Sequence, residues 1–237
     1  MTAFQTAILL AALAGAAIPL GGLAARIESI RPDWLKQELR HSIIAFGGGA
    51  LVSAIALVLV PEGSSRVPLW AAPVAFGAGG VCFFVIDRAI ESRGGGVAQL
   101  MAMLLDFIPE SMAMGAVFVA GDATGPLLAF LIGLQNFPES FTAYRELRET
   151  SGLRPGVIIL GFCGLMLLGP LAAWFGFAYL HAADEILGTI MLVAAGGILY
   201  LTFEDIAPQA YLERRWAPPL GAVAGFMVGM AGAALVG

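Results

Sequence analysis

The chain has 237 residues, of which 59% are hydrophobic and only 12% charged, and its mean hydropathy is +0.88. A soluble domain needs a polar surface, so this composition excludes one and predicts a polytopic membrane protein. The net charge of −5 says little about orientation, because acidic residues weigh weakly in membrane topology, and no nucleic-acid partner is expected.

Apolar blocks near 20 residues can each cross ~30 Å of hydrocarbon as a helix. They predict eight spans, at 4–25, 40–60, 67–88, 97–120, 125–144, 156–180, 185–208 and 217–237, in a single membrane domain over 1–237. The first block lacks a basic n-region, so it reads as a span rather than a signal peptide. The longest connection, RIESIRPDWLKQEL, reads as an interfacial turn. Spans three and four are joined only by ESRGGG, and spans four and five by GDATG. Alternating the spans puts Arg26, Arg31, Lys36, Arg40, Arg88, Arg93, Arg145, Arg148, Arg154, Arg214 and Arg215 on one side and only Arg66 on the other. Cytoplasmic loops retain basic residues, so both termini are expected outside a cytoplasmic membrane. Cys82 and Cys163 fall within spans, which argues against a disulfide framework. Glycines inside the spans read as close-packing sites.

Two internal repeats stand out. GGALVSAIALVLVPEG (48–63) aligns with AGGILYLTFEDIAPQA (195–210) at a constant offset of 147, matching Gly49 to Gly196 and Pro61 to Pro208. LLDFIPESMAMGAVF in span four and GLQNFPESFTAY in span five share Pro-Glu-Ser, with Pro109, Glu110 and Ser111 matching Pro138, Glu139 and Ser140. The equivalent spans run in opposite directions in both cases. That is the pattern of an inverted-topology repeat, which places a substrate site near the midplane.

Acids inside a bilayer cost ~2.5–3.5 kcal/mol each on insertion scales and mark pathways or partners by default. Asp106, Glu110 and Glu139 lie midspan, with Gln135 adding an amide. Residues four apart share a helix face. Counting ~1.5 Å per residue from the connecting loop sets Glu110 level with Gln135, and Asp106 level with Glu139. Pro109 and Pro138 remove N–H groups and free the carbonyls of Leu105 and Leu134. Carboxylates and carbonyls without a basic partner suit a dehydrated cation. A protonated acid in a static polar clamp is the competing structural reading. Asn136, Glu204 and Asp205 are candidates for supporting this site or lining its exit, although an acid near the end of span seven can equally face headgroups. Glu62 and Asp87 sit at span ends and are expected to be solvated. His41 and His181 lie near loops, and the methionines around Asp106 read as packing residues.

These segments resemble the ZIP (Zrt-/Irt-like) family of divalent metal transporters, particularly its bacterial branch, with its paired motifs H-N-x-P-[ED]-G and [HQ]-N-x-P-E-G. The counterparts are Asp106-Phe107-Ile108-Pro109-Glu110-Ser111 and Gln135-Asn136-Phe137-Pro138-Glu139-Ser140, while Phe203-Glu204-Asp205-Ile206-Ala207-Pro208-Gln209-Ala210 is similar to the family's E-[ED]-x-x-P-E-A. The chain departs from the family at Asp106 (His there), Phe107 (Asn there) and both motif serines (Gly there), and Gly169-Pro170 lacks the acid that completes a second metal position in many members. The resemblance implies an all-α bundle of eight spans with an inverted repeat and both termini outside. It also implies a metal site formed by Asp106, Glu110, Gln135 and Glu139. All-oxygen ligation suits cations such as Mn²⁺ or Fe²⁺ better than zinc.

The reading is therefore a multi-pass secondary transporter of a divalent metal ion, which is its substrate, with no enzymatic chemistry and no organic cofactor. Its partners are the ion and the lipid bilayer, and a homodimer is compatible with it. The alternatives are a proton-coupled carrier of a small organic solute and a transport-inactive membrane protein of the same fold.

Overall fold

A lone backbone segment in hydrocarbon can satisfy its own N–H and C=O groups only as a helix. The computed structural model is helical through nearly all of the residues that it describes, which are 1–28, 33–92, 97–119, 124–211 and 216–236. Arg31, Arg93, Arg214 and Arg215 lie outside the described residues.

Eight helical segments follow in chain order. Helix α1 is Ala3–Glu28. Helix α2 runs over Asp33–Ala54, passes through a π-helical turn at Ile55–Leu59, and continues as Val60–Arg66. Helices α3 (Ala71–Glu91), α4 (Ala98–Val119) and α5 (Thr124–Thr150) follow. Helix α6 comprises Pro155–Leu165 and Leu168–Phe175 and ends in a π turn at Gly176–Leu180. Helix α7 comprises Asp184–Leu201, a π turn at Thr202–Ile206, and Ala207–Ala210. The last, α8, is Ala217–Val236.

Seven of these stretches are long and apolar enough to cross a membrane, so the chain is a multi-pass membrane protein. The exception is α5, whose 27 residues carry Gln135, Asn136, Glu139 and a charged C-terminal end. It is nevertheless central, packing on α1, α2 and α4. Helices α4 and α5 form the middle of the bundle, α6 and α7 cover α4, and α3 and α8 lie outside against α7 and α2. Phe107, Phe141, Phe162, Met103 and Met114 fill the core between them.

Three sequence expectations are corrected. The connection expected over 26–39 is mostly helix, because α1 extends to Glu28 and α2 starts at Asp33. Helix α2 does not stop at 60 but carries on through Pro61 to Arg66. Asp87 is not solvated: it is 9% exposed and accepts a 2.9 Å hydrogen bond from the Tyr200 hydroxyl of α7.

The π turns explain how α2 and α7 pass their prolines. The residue before each proline reaches back five positions, Val60 N–H to the Ile55 carbonyl and Ala207 N–H to the Thr202 carbonyl. The turn is widened just where proline withholds its own donor. The offset of 147 that aligns the two segments also carries Ile55–Leu59 onto Thr202–Ile206.

The glycine contacts obey the same offset. Where α2 crosses α8, a Cβ on Gly49 would overlap the Ala222 carbonyl, and one on Gly225 the Phe46 carbonyl. Where α7 crosses α3, a Cβ on Gly196 would overlap the Phe76 carbonyl, and one on Gly79 the Val193 carbonyl. Gly49 and Phe46 map onto Gly196 and Val193. Both crossings bring backbone against backbone, the close approach on which membrane helix association depends.

Candidate functional site

The site residues lie on α4 and α5. Pro109 and Pro138 each sit inside an unbroken α-helix, and the π turns lie on α2, α6 and α7 instead. Residues after Pro138 back-bond locally: the Thr142 hydroxyl donates to the Pro138 carbonyl at 3.0 Å, and the Ser140 hydroxyl to the Phe137 carbonyl at 3.1 Å. Ser140 also reaches the Ala17 carbonyl of α1 at 3.4 Å. A Cβ on Gly21 of α1 would overlap both the Ser140 hydroxyl and the Phe137 carbonyl, so α1 clamps α5 at the level of the site.

The four expected ligands meet in two tiers. In one, Gln135 Nε2 donates to Glu110 Oε2 at 2.5 Å. In the other, Asp106 and Glu139 line one small cavity between the helices. This is the level pairing that rise per residue predicts. Gln135, Glu110 and Asp106 are 0%, 1% and 3% exposed, while Glu139 is half-buried with both carboxylate oxygens shielded.

The hydrogen-bond account of these groups does not close. Glu110 Oε1, Gln135 Oε1, and Glu139 Oε1 and Oε2 are buried with no hydrogen-bond donor among the described residues. Leaving such an acceptor unpaired costs ~1–3 kcal/mol, more for a charged group. No basic side chain is available nearby in sequence, since positions 94 to 144 contain no Lys, Arg or His. Among the described residues, no three Asp, Glu, His or Cys side chains are gathered tightly enough to hold a metal ion. The acids form a string through two couples rather than a closed cage.

The remaining candidates are placed differently. Asn136 is fully buried and turned to α1, donating from Nδ2 to the Ala14 carbonyl at 3.5 Å. Glu204 is exposed, in keeping with an interfacial acid. Asp205 lines a cavity of about 20 Å³ together with Asp106, Glu139, Gln99 and Met103. A second cavity of about 10 Å³ is lined by Glu139, Gln99, Thr142 and Gln209. Both spaces are of the order of a single water, and they share Gln99, Glu139 and Ile206.

Sequence reasoning did not single out Gln99, which lies in no repeated segment, or Thr142 and Gln209, which lie within the quoted segments but were given no role there. It also missed how Gln99 is set: Glu146 of α5 accepts the backbone N–H groups of Ala98 and Gln99 at 3.2 and 2.9 Å, capping the start of α4. Phe107 is fully buried, its ring lying where a Cβ on Gly169 of α6 would fall. The large residue after Asp106 and the small one before Pro170 are thus matched. Neither a known family model nor a curated protein matches the chain.

Proposed function

We propose that the chain is a secondary transporter of a divalent metal cation, similar in architecture to the ZIP family, with its cargo held between α4 and α5. The observation that carries this reading is the set of buried oxygen acceptors on Glu110, Gln135 and Glu139 that lack a donor, beside a stretch without a basic residue. A cation supplies the missing positive charge. The carboxylates must be ionised to bind it, and the Gln135 amide must turn its oxygen rather than its NH₂ toward the ion. Binding therefore draws the two couples together, exchanging the Gln135–Glu110 hydrogen bond for ligation.

The donor set is all oxygen, which favours Mn²⁺ or Fe²⁺ over Zn²⁺. A single position is expected, because the Phe107 ring occupies the space beside Gly169. The inverted repeat is supported by the common offset of the π turns and the glycine crossings. Exchanging α2 with α7, α3 with α8, α4 with α5 and α1 with α6 turns the α2–α8 packing into α7–α3, and the α1–α5 packing into α6–α4, all four of which occur. Two related halves can rock about the central pair to expose the site alternately. The positive-inside pattern orients both termini outward in a cytoplasmic membrane.

Uptake into proteoliposomes tests the reading. Glu110→Ala and Glu139→Ala should each abolish metal uptake while inserting at least as well as the parent chain, since a buried acid costs insertion energy. Wild-type uptake by either variant removes the site. Metal-independent proton flux that both substitutions abolish would support the proton-coupled carrier instead.

A further inference from the structure

We propose that the arginine-rich end of the bundle holds an anionic phospholipid by its phosphate, in a pocket between the ends of α1, α5 and α6. The cavity there measures about 330 Å³ and is lined by Arg26 of α1, by Tyr144, Arg145, Arg148 and Glu149 of α5, by Pro155 of α6, and by Ala25. Among the described lining residues, three guanidiniums and one carboxylate give it an excess of positive charge. Its floor is firm, because Ala25 and Tyr144 are 1% and 4% exposed.

Two of the arginines have described contacts. Arg148 donates from Nη1 to the Leu153 carbonyl. That carbonyl is brought back over α5 by a turn at Gly152, whose φ of 65° only glycine adopts without cost. Arg145 stands 4.0 Å from Glu149, one turn on, a long contact for an exposed acid and therefore a weak one. Each guanidinium carries five N–H donors in a planar fork suited to phosphate oxygens.

The surroundings favour a lipid over free phosphate. The same turns of α1 and α6 and the connection before α6 expose Leu23, Ile27, Val157 and Leu153, so apolar surface adjoins the basic pocket as acyl chains adjoin a headgroup. Basic pockets between membrane helices at the cytoplasmic side are suited to anionic headgroups. The pocket joins α5, which bears Gln135 and Glu139, to α1 and α6. A bound lipid therefore braces the site-bearing helix from its end, without touching the carboxylates.

Native mass spectrometry of the full chain in detergent, with phosphatidylglycerol or phosphatidylcholine added, tests this. Phosphatidylglycerol should be retained in preference, and Arg26→Gln and Arg148→Gln should each weaken its retention about five-fold, as expected of ~1 kcal/mol per arginine at the membrane surface. Arg26→Lys should keep most of it, and Arg88→Gln, at the exposed end of α3 over the Phe84 ring, should change nothing. Thermal melting provides a second readout, with phosphatidylglycerol raising the midpoint of the parent chain but not of Arg26→Gln/Arg148→Gln. The proposal is overturned if the two lipids are retained equally, if the variants bind like the parent, or if inorganic phosphate alone reproduces the thermal shift.

Discussion

Helices α2 and α7 touch at both of their ends, and the two ends are built differently. At the Arg66 end the contact is tight: a Cβ on Gly63 would crowd Leu192 and the Gly188 carbonyl, and one on Gly188 would crowd Arg66 and the Gly63 carbonyl. Arg66 then bridges Glu62 at 3.0 Å and Asp184 at 3.2 Å. At the other end, beyond the Thr202–Ile206 turn, small cavities lined by Gln99, Asp205 and Gln209 reach Glu139. Equivalent segments of sequence thus make a seal in one place and a loosened, polar-lined contact in the other. Side chains, rather than backbone geometry, set the difference. Both helices have a π turn and a proline, but glycines face each other only at the Arg66 end.

The largest expected effect comes from breaking the seal. Gly188→Leu has no room against Arg66 and Gly63, and overpacking of this kind costs about 1–3 kcal/mol. Its melting midpoint in detergent should fall clearly below that of the parent, and an unchanged midpoint would mean that the two helices do not meet as described. Filling the loosened end should act on function instead. Gln99→Trp places an indole where both cavities meet, so on the proposed transport reading metal uptake should drop to background while the melting midpoint stays within error. Uptake at the parent rate would show that the cargo leaves by another path.

Asp106 sharpens the comparison because its couple with Glu139 faces the cavities, whereas Glu110 and Gln135 lie one turn deeper. Asp106→His replaces hard oxygen with imidazole nitrogen and should move selectivity toward Zn²⁺ relative to Mn²⁺. Competition binding with an unchanged ratio in a folded variant would remove Asp106 from the ligands. The smallest effect is expected from Asp184→Asn. Its carboxylate is 73% exposed, so losing the pair with Arg66 should cost below ~1 kcal/mol. A cysteine reporter beside Gly188 should then react only a few-fold faster, and a loss of stability as large as that of Gly188→Leu would assign the seal to charge rather than packing.

Much of the arrangement was legible in the sequence because short-range rules governed it. Four-residue spacing and rise per residue suffice to pair Asp106 with Glu139 and Glu110 with Gln135, and matching prolines locate the two segments that turn out to share a π turn. Asp87 was misread because its partner, Tyr200, is 113 residues away and nothing local announces it. Helix α5 is legible as a span from its apolar block at 125–144, although the polar face and charged end of the full helix depress its hydropathy. Gln99 and Gln209 gain their place by which helices converge on Glu139, a property of the packed bundle that no window of sequence contains.

The stretch from 94 to 144 without a Lys, Arg or His has an electrical consequence. If Asp106, Glu110 and Glu139 all ionise, as the proposed cation binding requires, no basic residue between 94 and 144 offsets them; the empty string is then strongly anionic, and a divalent ion cancels most but not all of that charge. Moving each uncompensated charge through the membrane field is worth ~2.3 kcal/mol per 100 mV. The loaded and empty forms therefore feel the membrane voltage differently unless protons ride the return step. The slope of transport current against voltage, compared with the ion flux measured alongside it, counts those protons.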